Sequence, residues 1–258
     1  MRPGVSRAVR VRARWPLPIG PAVAVLGWHR VDTEGGSLAV PPRIFAGQME
    51  ILHECRQQFP VVDLSEAATL LASGSPRARG VVLTFDDAWA DNHAHALGPL
   101  SRLGLPAVLY APSHLLDRSR YMTRRQLLEM DAAGVTIGAH SRSHPDLRAC
   151  TPGELEGEVR GSKEDLEDLL GKPVTSFAYP TGLLDDRVVE AVRAAGFTSA
   201  ITTHAGWWRP GAEALRVPRS FVQNFSENTF RAALRGGLNA LGPFDVMKRL
   251  DPRPSSRS

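Results

Sequence analysis

The chain alternates short apolar runs with longer segments in which apolar residues recur at helical spacing. The short runs lie at 22–28 (AVAVLGW), 81–85 (VVLTF), 107–111 (AVLYA), 135–139 (VTIGA), 176–179 (SFAY) and 199–203 (SAITT), and their length predicts buried strands. Helices are predicted between and after them, over 45–58, 64–72, 89–103, 123–133, 151–170, 185–195 and 226–241. Thr151-Pro152 supplies an N-cap and a first-turn proline, and Glu154 completes a capping box. Gly104, Gly134, Gly171 and Gly196 each follow a helical run, where a left-handed C-cap favours a residue without Cβ.

Strands separated by helices of this length pair in parallel through right-handed crossovers, which predicts an α/β fold. Near-continuous apolar strands imply that both sheet faces are covered. Six or seven such units fit a single (β/α) barrel, complete or incomplete; a doubly wound open sheet is the alternative that periodicity leaves standing. No long Pro/Gly/Ser-rich linker divides the chain, so one catalytic-size unit is expected over 19–245. It is preceded by a flexible leader (1–18) and followed by a flexible basic tail (246–258).

Charge changes this picture little. Of 258 residues, 31 are basic and 27 acidic, giving a net charge of +4. Residues 1–14 hold five Arg and no acid, and 248–258 hold four basic residues against Asp251. Removing those nine bases and one acid leaves 22 and 26, so the body carries −4. The basic excess belongs to the ends, where it could touch anionic envelope polymers or lipid headgroups. No nucleic-acid motif accompanies it, and no nucleic-acid partner is expected. No run of 18 apolar residues exists, so no membrane span is predicted. The run from Ile19 to Trp28 has basic residues ahead of it but no clear cleavage site after it. Compartment therefore stays open, with a cytoplasmic default and envelope association as the other expectation. Two cysteines, Cys55 and Cys150, are too few for a disulfide framework.

Ionisable residues gather just after the strand runs: His29, Asp86 and Asp87, His140, and His204. In a parallel barrel all strand C-termini open on one face, where active sites form. Asp86-Asp87 could cap the helix near Trp89, yet only one carboxylate can do so, and the other then needs a partner. His140 and His144, four apart in a turn leaving a strand, can face one centre; two surface histidines are the bland alternative. Adding one Asp makes a His-His-Asp set, the three-ligand pattern of a catalytic metal. Pro180 and Gly182 make a rigid turn after the fifth strand.

The run Thr84-Phe85-Asp86-Asp87, the His140-x-x-x-His144 loop and the Phe177–Gly182 turn, in this order, resemble the polysaccharide deacetylase group. This is the NodB-homology, carbohydrate esterase family 4 group, and the resemblance covers about residues 22–222. It is closest to the branch opening with a Tyr-His-Arg strand end, here Trp28-His29-Arg30. Met122-Thr123, Ser162-Lys163 and Val217-Pro218-Arg219 are further matches.

The resemblance implies a distorted (β/α)7-type barrel that removes acetyl groups from the N-acetylated amino sugars of an acetylated glycan with a divalent metal, most often Zn2+. By position, Asp87, His140 and His144 are then the metal ligands and Asp86 the general base. Thr181 falls where a backbone N–H stabilises the oxyanion, and His29 resembles the general-acid histidine. Three departures stand out: Ala88 replaces a usual Gly, Thr181 a usual aromatic, and Ala178 an Arg that in some members pairs with the catalytic Asp. Arg219 is expected to supply that charge. An O-acetyl esterase or a non-catalytic sugar-binding barrel on the same fold are the rival readings. Trp207-Trp208 is a candidate sugar platform, Trp89 is expected in the core, His93, His95 and His204 lie outside the expected site, and the acidic faces of helix 151–170 are expected to meet solvent.

Overall fold

The computed structural model describes residues 20–36, 38–222 and 224–234. The expected leader, the C-terminal tail and the end of the helix predicted over 226–241 lie outside the described residues. Among the described residues, seven parallel strands form one sheet: β1 (Ala22–Trp28), β2 (Arg79–Phe85), β3 (Ala107–Ala111), β4 (Val135–Ala139), β5 (Ser176–Ala178), β6 (Ser199–Ile201) and β7 (Ser220–Phe221). Their spatial order is β6-β5-β4-β3-β2-β1-β7. The segment entering β7 curls the sheet back on itself. Val217 bridges Ile201 of β6, while Ser220 and Phe221 pair with Leu26 and Gly27 of β1. The result is a curled half-barrel closed by one bent segment, which decides between the two architectures left open above.

Among the described residues, seven α-helices cover the outside: α1 (Pro42–Glu54), α2 (Leu64–Ala72), α3 (Leu97–Leu103), α4 (Arg124–Ala132), α5 (Pro152–Leu170), α6 (Asp186–Ala194) and α7 (Glu227–Leu234). One core layer lies between these helices and the outward strand residues, for example Leu26, Leu83 and Leu109 against Met49, Leu127 and Val159. A second cluster fills the barrel floor with Val23, Val25, Val82, Val108, Tyr110 and Trp208. Trp208 exchanges backbone hydrogen bonds with Val23 at the start of β1 and is 4% exposed. It therefore plugs the end opposite the strand C-termini, and the expectation that it stacks on sugar is corrected.

Local signals account for most element ends. Thr151 and Glu154 form the expected capping box on α5, and Gly171 takes the left-handed C-cap. Thr123 and Gln126 do the same for α4, each satisfying the other's backbone N–H. Thr123→Ala should cost about 1 kcal/mol of stability by equilibrium urea unfolding; an unchanged midpoint would show that the cap is replaced by solvent. The helix predicted over 89–103 is present from 90 to 103, with a π-helical stretch inside it. Asp87 and Ala88 both adopt positive φ, so the chain turns before a π-helical stretch at Asn92–Ala96 leads into α3.

Among the described residues, no helix is long and apolar enough to cross a membrane. Cys55 and Cys150 are both free thiols.

Candidate active site

Successive side chains of a strand point to opposite faces, so every second residue looks into the barrel. That parity puts His29 in line with Val23, Val25 and Gly27, and Asp86 in line with Val82 and Thr84. Arg219 follows Val217 on the closing segment by the same rule. The floor of each column is apolar, and its last member at the mouth is ionisable.

Arg219 and Asp86 meet as a buried bidentate pair. Nη1 donates to Oδ1 at 2.7 Å and Nη2 to Oδ2 at 2.6 Å, with the two side chains 0% and 4% exposed. Nη1 also reaches Thr84 Oγ1 at 3.2 Å. Room for the guanidinium comes from Gly27: a Cβ there would lie 2.9 Å from the Phe221 ring and 3.0 Å from Arg219 Cδ. Burial pushes the Asp86 carboxyl up, but the charges of Arg219, His140 and His29 hold it below the ordinary carboxylate range. His29 stacks on Phe221, with ring centroids 4.6 Å apart, and its Nε2 lies 3.8 Å from Asp86 Oδ2. Burial lowers the His29 pKa despite the two nearby aspartates. Asn92 fixes the same corner by donating to the His29 carbonyl at 2.9 Å.

Beside this pair, Asp87, His140 and His144 offer three donor atoms within 4.8 Å of one another. Asp87 Oδ1 lies 3.5 Å from His140 Nε2 and 3.4 Å from His144 Nε2. His140 Nδ1 donates to the Ala178 carbonyl at 2.7 Å, so its Nε2 keeps the lone pair a cation needs. Trp89 Nε1 donates to Asp87 Oδ2 at 3.0 Å, which leaves Oδ1 for the histidines. Burial would raise the Asp87 pKa, but the histidines hold it well below the usual carboxylate range. Burial opposes charge on His140 as well; its bond to Asp87 and the two carboxylates reverse this and raise its pKa. His144 is lowered by burial and by His140. One carboxylate and two imidazoles, with the second carboxylate engaged by arginine, suit a zinc-like cation with open positions.

The site is built on unusual backbone. Asp87, Ala88, Ser141, His144 and Thr181 all have φ between 53° and 70°. Such non-glycine residues persist only where surroundings over-determine them. Ala88 adopts the left-handed conformation that a glycine takes without strain. Thr181 sits at the end of β5 in the expected turn, its hydroxyl donating to the Pro180 carbonyl at 2.6 Å.

Two further expectations are revised, while His93 and His204 lie outside the site as expected. Trp89 is half-buried rather than core: it stacks on Tyr121 at 4.5 Å and touches the Asp87 carboxylate. His204 is exposed, and His93 pairs with Glu129 at 2.8 Å. The acids of α5 are not all solvent-facing, because Glu158, Asp165 and Glu167 accept hydrogen bonds from other segments. Asp86 and Asp87 do not cap the helix after them; both face the barrel mouth.

The polysaccharide deacetylase family model matches residues 73–200, which contain Asp86, Asp87, His140, His144 and Thr181 but not His29 or Arg219. The Bacillus subtilis protein YxkH, which carries a polysaccharide deacetylase name, is 27% identical over 183 residues, covering 70% of this chain and 64% of that protein. The chain thus spans less than two thirds of that relative's length. A polysaccharide deacetylase structure from Bacillus cereus superposes with a TM-score of 0.73 at 26% identity, covering 84% of this chain and 69% of that one. The Streptococcus pyogenes deacetylase PplD shares the fold, with a TM-score of 0.77 at 21% identity over 84% of this chain and 99% of that one. With the same curled parallel sheet and all three motifs at its mouth, the chain carries a polysaccharide deacetylase domain over residues 73–200.

Proposed function

We propose that the protein is a metal-dependent hydrolase that removes acetyl groups from N-acetylated amino sugars of a polysaccharide or glycoconjugate. The observation that carries this reading is the division of labour at the mouth. Three donors converge on one point, while a fourth, chemically similar carboxylate is held beside them by Arg219.

Asp87, His140 and His144 would hold the cation, with Zn2+ as the proposed ion. Bound there, it would polarise the acetyl carbonyl and make a water molecule more acidic. Asp86 would take the proton from the attacking water. Arg219 occupies one acceptor direction on each of its oxygens, and a carboxylate has further lone pairs to offer. His29, 3.8 Å from Asp86, would deliver a proton to the departing amine. The backbone N–H of Thr181 would face the oxygen that becomes negative as water adds.

Acetate release from chitooligosaccharides and from acetylated xylan, measured before and after chelation, tests the reading. We expect release from the amide substrate, loss on chelation and recovery with Zn2+. Release from xylan alone would favour ester hydrolysis. Full activity in the chelated protein would overturn the metal dependence.

A further inference from the structure

We propose that Glu158 on α5 is a positioning residue for the cation site, holding the 141–144 loop so that His144 turns back toward His140 and Asp87. The inference rests on the metal reading above. The loop needs such a hold: Ser141 and His144, both non-glycine, have φ of 61° and 62°. Their conformation is imposed from outside the loop as well as by the Ser141 Oγ that accepts from His144 N at 2.9 Å.

Glu158 collects three donors from two consecutive residues. Its Oε2 accepts from Arg142 N at 2.9 Å and Ser143 N at 2.8 Å, and its Oε1 accepts from Ser143 Oγ at 2.6 Å. The loop's carbonyls are held by the segment after β3. Ser113 N donates to Ser141 O at 3.2 Å, and His114 N donates to Arg142 O at 2.9 Å. The loop is thus fixed through its N–H groups by α5 and through its carbonyls by the β3 end.

A second grip lies on the same stripe of the helix. Arg142 donates to Asp165 through Nε at 2.8 Å and Nη2 at 2.7 Å, and Asp165 also accepts from Ser113 Oγ at 2.7 Å. Glu158, Gly161 and Asp165 are three and four residues apart, hence on one face. Gly161 is buried, and a Cβ there would stand 2.2 Å from Arg142 Cζ. Glycine inside a helix costs stability relative to alanine, so this position gives up helix propensity for the space Arg142 occupies.

The test uses the full chain, freed of metal, titrated with Zn2+ against a chromophoric chelator, alongside thermal unfolding of the metal-free forms. Glu158→Ala should weaken Zn2+ binding about 10–100-fold, the usual effect of losing a group that orients ligands. Glu158→Gln, which keeps an oxygen for the two N–H groups, should restore much of it. Gly161→Ala should also weaken binding without lowering the metal-free thermal midpoint. A merely structural role would lower the Glu158→Ala midpoint and leave the affinity of the folded protein intact, which would overturn the proposal. Wild-type affinity in Glu158→Ala overturns the clamp alone. Failure of the wild-type chain to bind Zn2+ overturns the metal reading, and the clamp with it.

Discussion

Asp86→Asn is expected to reduce turnover by about 10²–10⁴-fold, the usual contribution of a positioned general base, while one metal ion per chain stays bound. Asp86 is not among the three converging donors; its oxygens face Arg219. The amide keeps one acceptor for the guanidinium and sets a donor against the other N–H, so some stability is lost as well. Circular dichroism before assay separates that loss from the catalytic one. His140→Ala should instead lose both metal and turnover, because it removes the imidazole that the Ala178 carbonyl orients. Retained turnover in metal-replete Asp86→Asn would sink the base assignment. Loss of its metal would place Asp86 among the ligands.

Arg219→Ala is expected to cost about 3–5 kcal/mol of folding stability, the usual consequence of leaving one member of a buried pair uncompensated. Its effect on pH dependence has a definite sign. Burial raises the Asp86 pKa and Arg219 is the leading influence that lowers it. Without the guanidinium, less opposes burial and the carboxylate protonates at higher pH. The acidic limb of kcat/KM should therefore move upward in pH. The stability from the depressed carboxyl is present above its unfolded pKa and disappears as pH falls through the folded one, so the variant should lose that acid-sensitive part. An unchanged acidic limb would count against Asp86 as the group being titrated.

Much of this was legible in the sequence because strands impose a period of two and a parallel sheet gathers its C-termini. Those facts bring His29, Asp86, Asp87, His140 and Arg219 to one mouth from residues scattered over most of the chain. Strand β7 was not legible: two residues after Pro218 carry no alternation to detect. Trp208 was misplaced because an aromatic in a polar loop looks alike whether it sits at the rim or plugs the floor. Glu158 and Asp165 were read as solvated because their partners, Arg142 and Ser143, lie in another element. Helical periodicity reports which face is apolar and is silent about which polar residues find buried work.

The bent closing segment has a consequence for the order in which the molecule becomes itself. Synthesis runs from β1 toward β7, so a growing chain carries all three proposed cation donors long before it carries Arg219. Until then Asp86 has no guanidinium to accompany it into the interior, and an unaccompanied carboxylate resists burial. Sealing the sheet and lodging the anion are thus expected to be one event. On the proposed reading, a nascent barrel would gather its ion on an open, unsealed sheet, yet gain its charged base only when its last strand arrives.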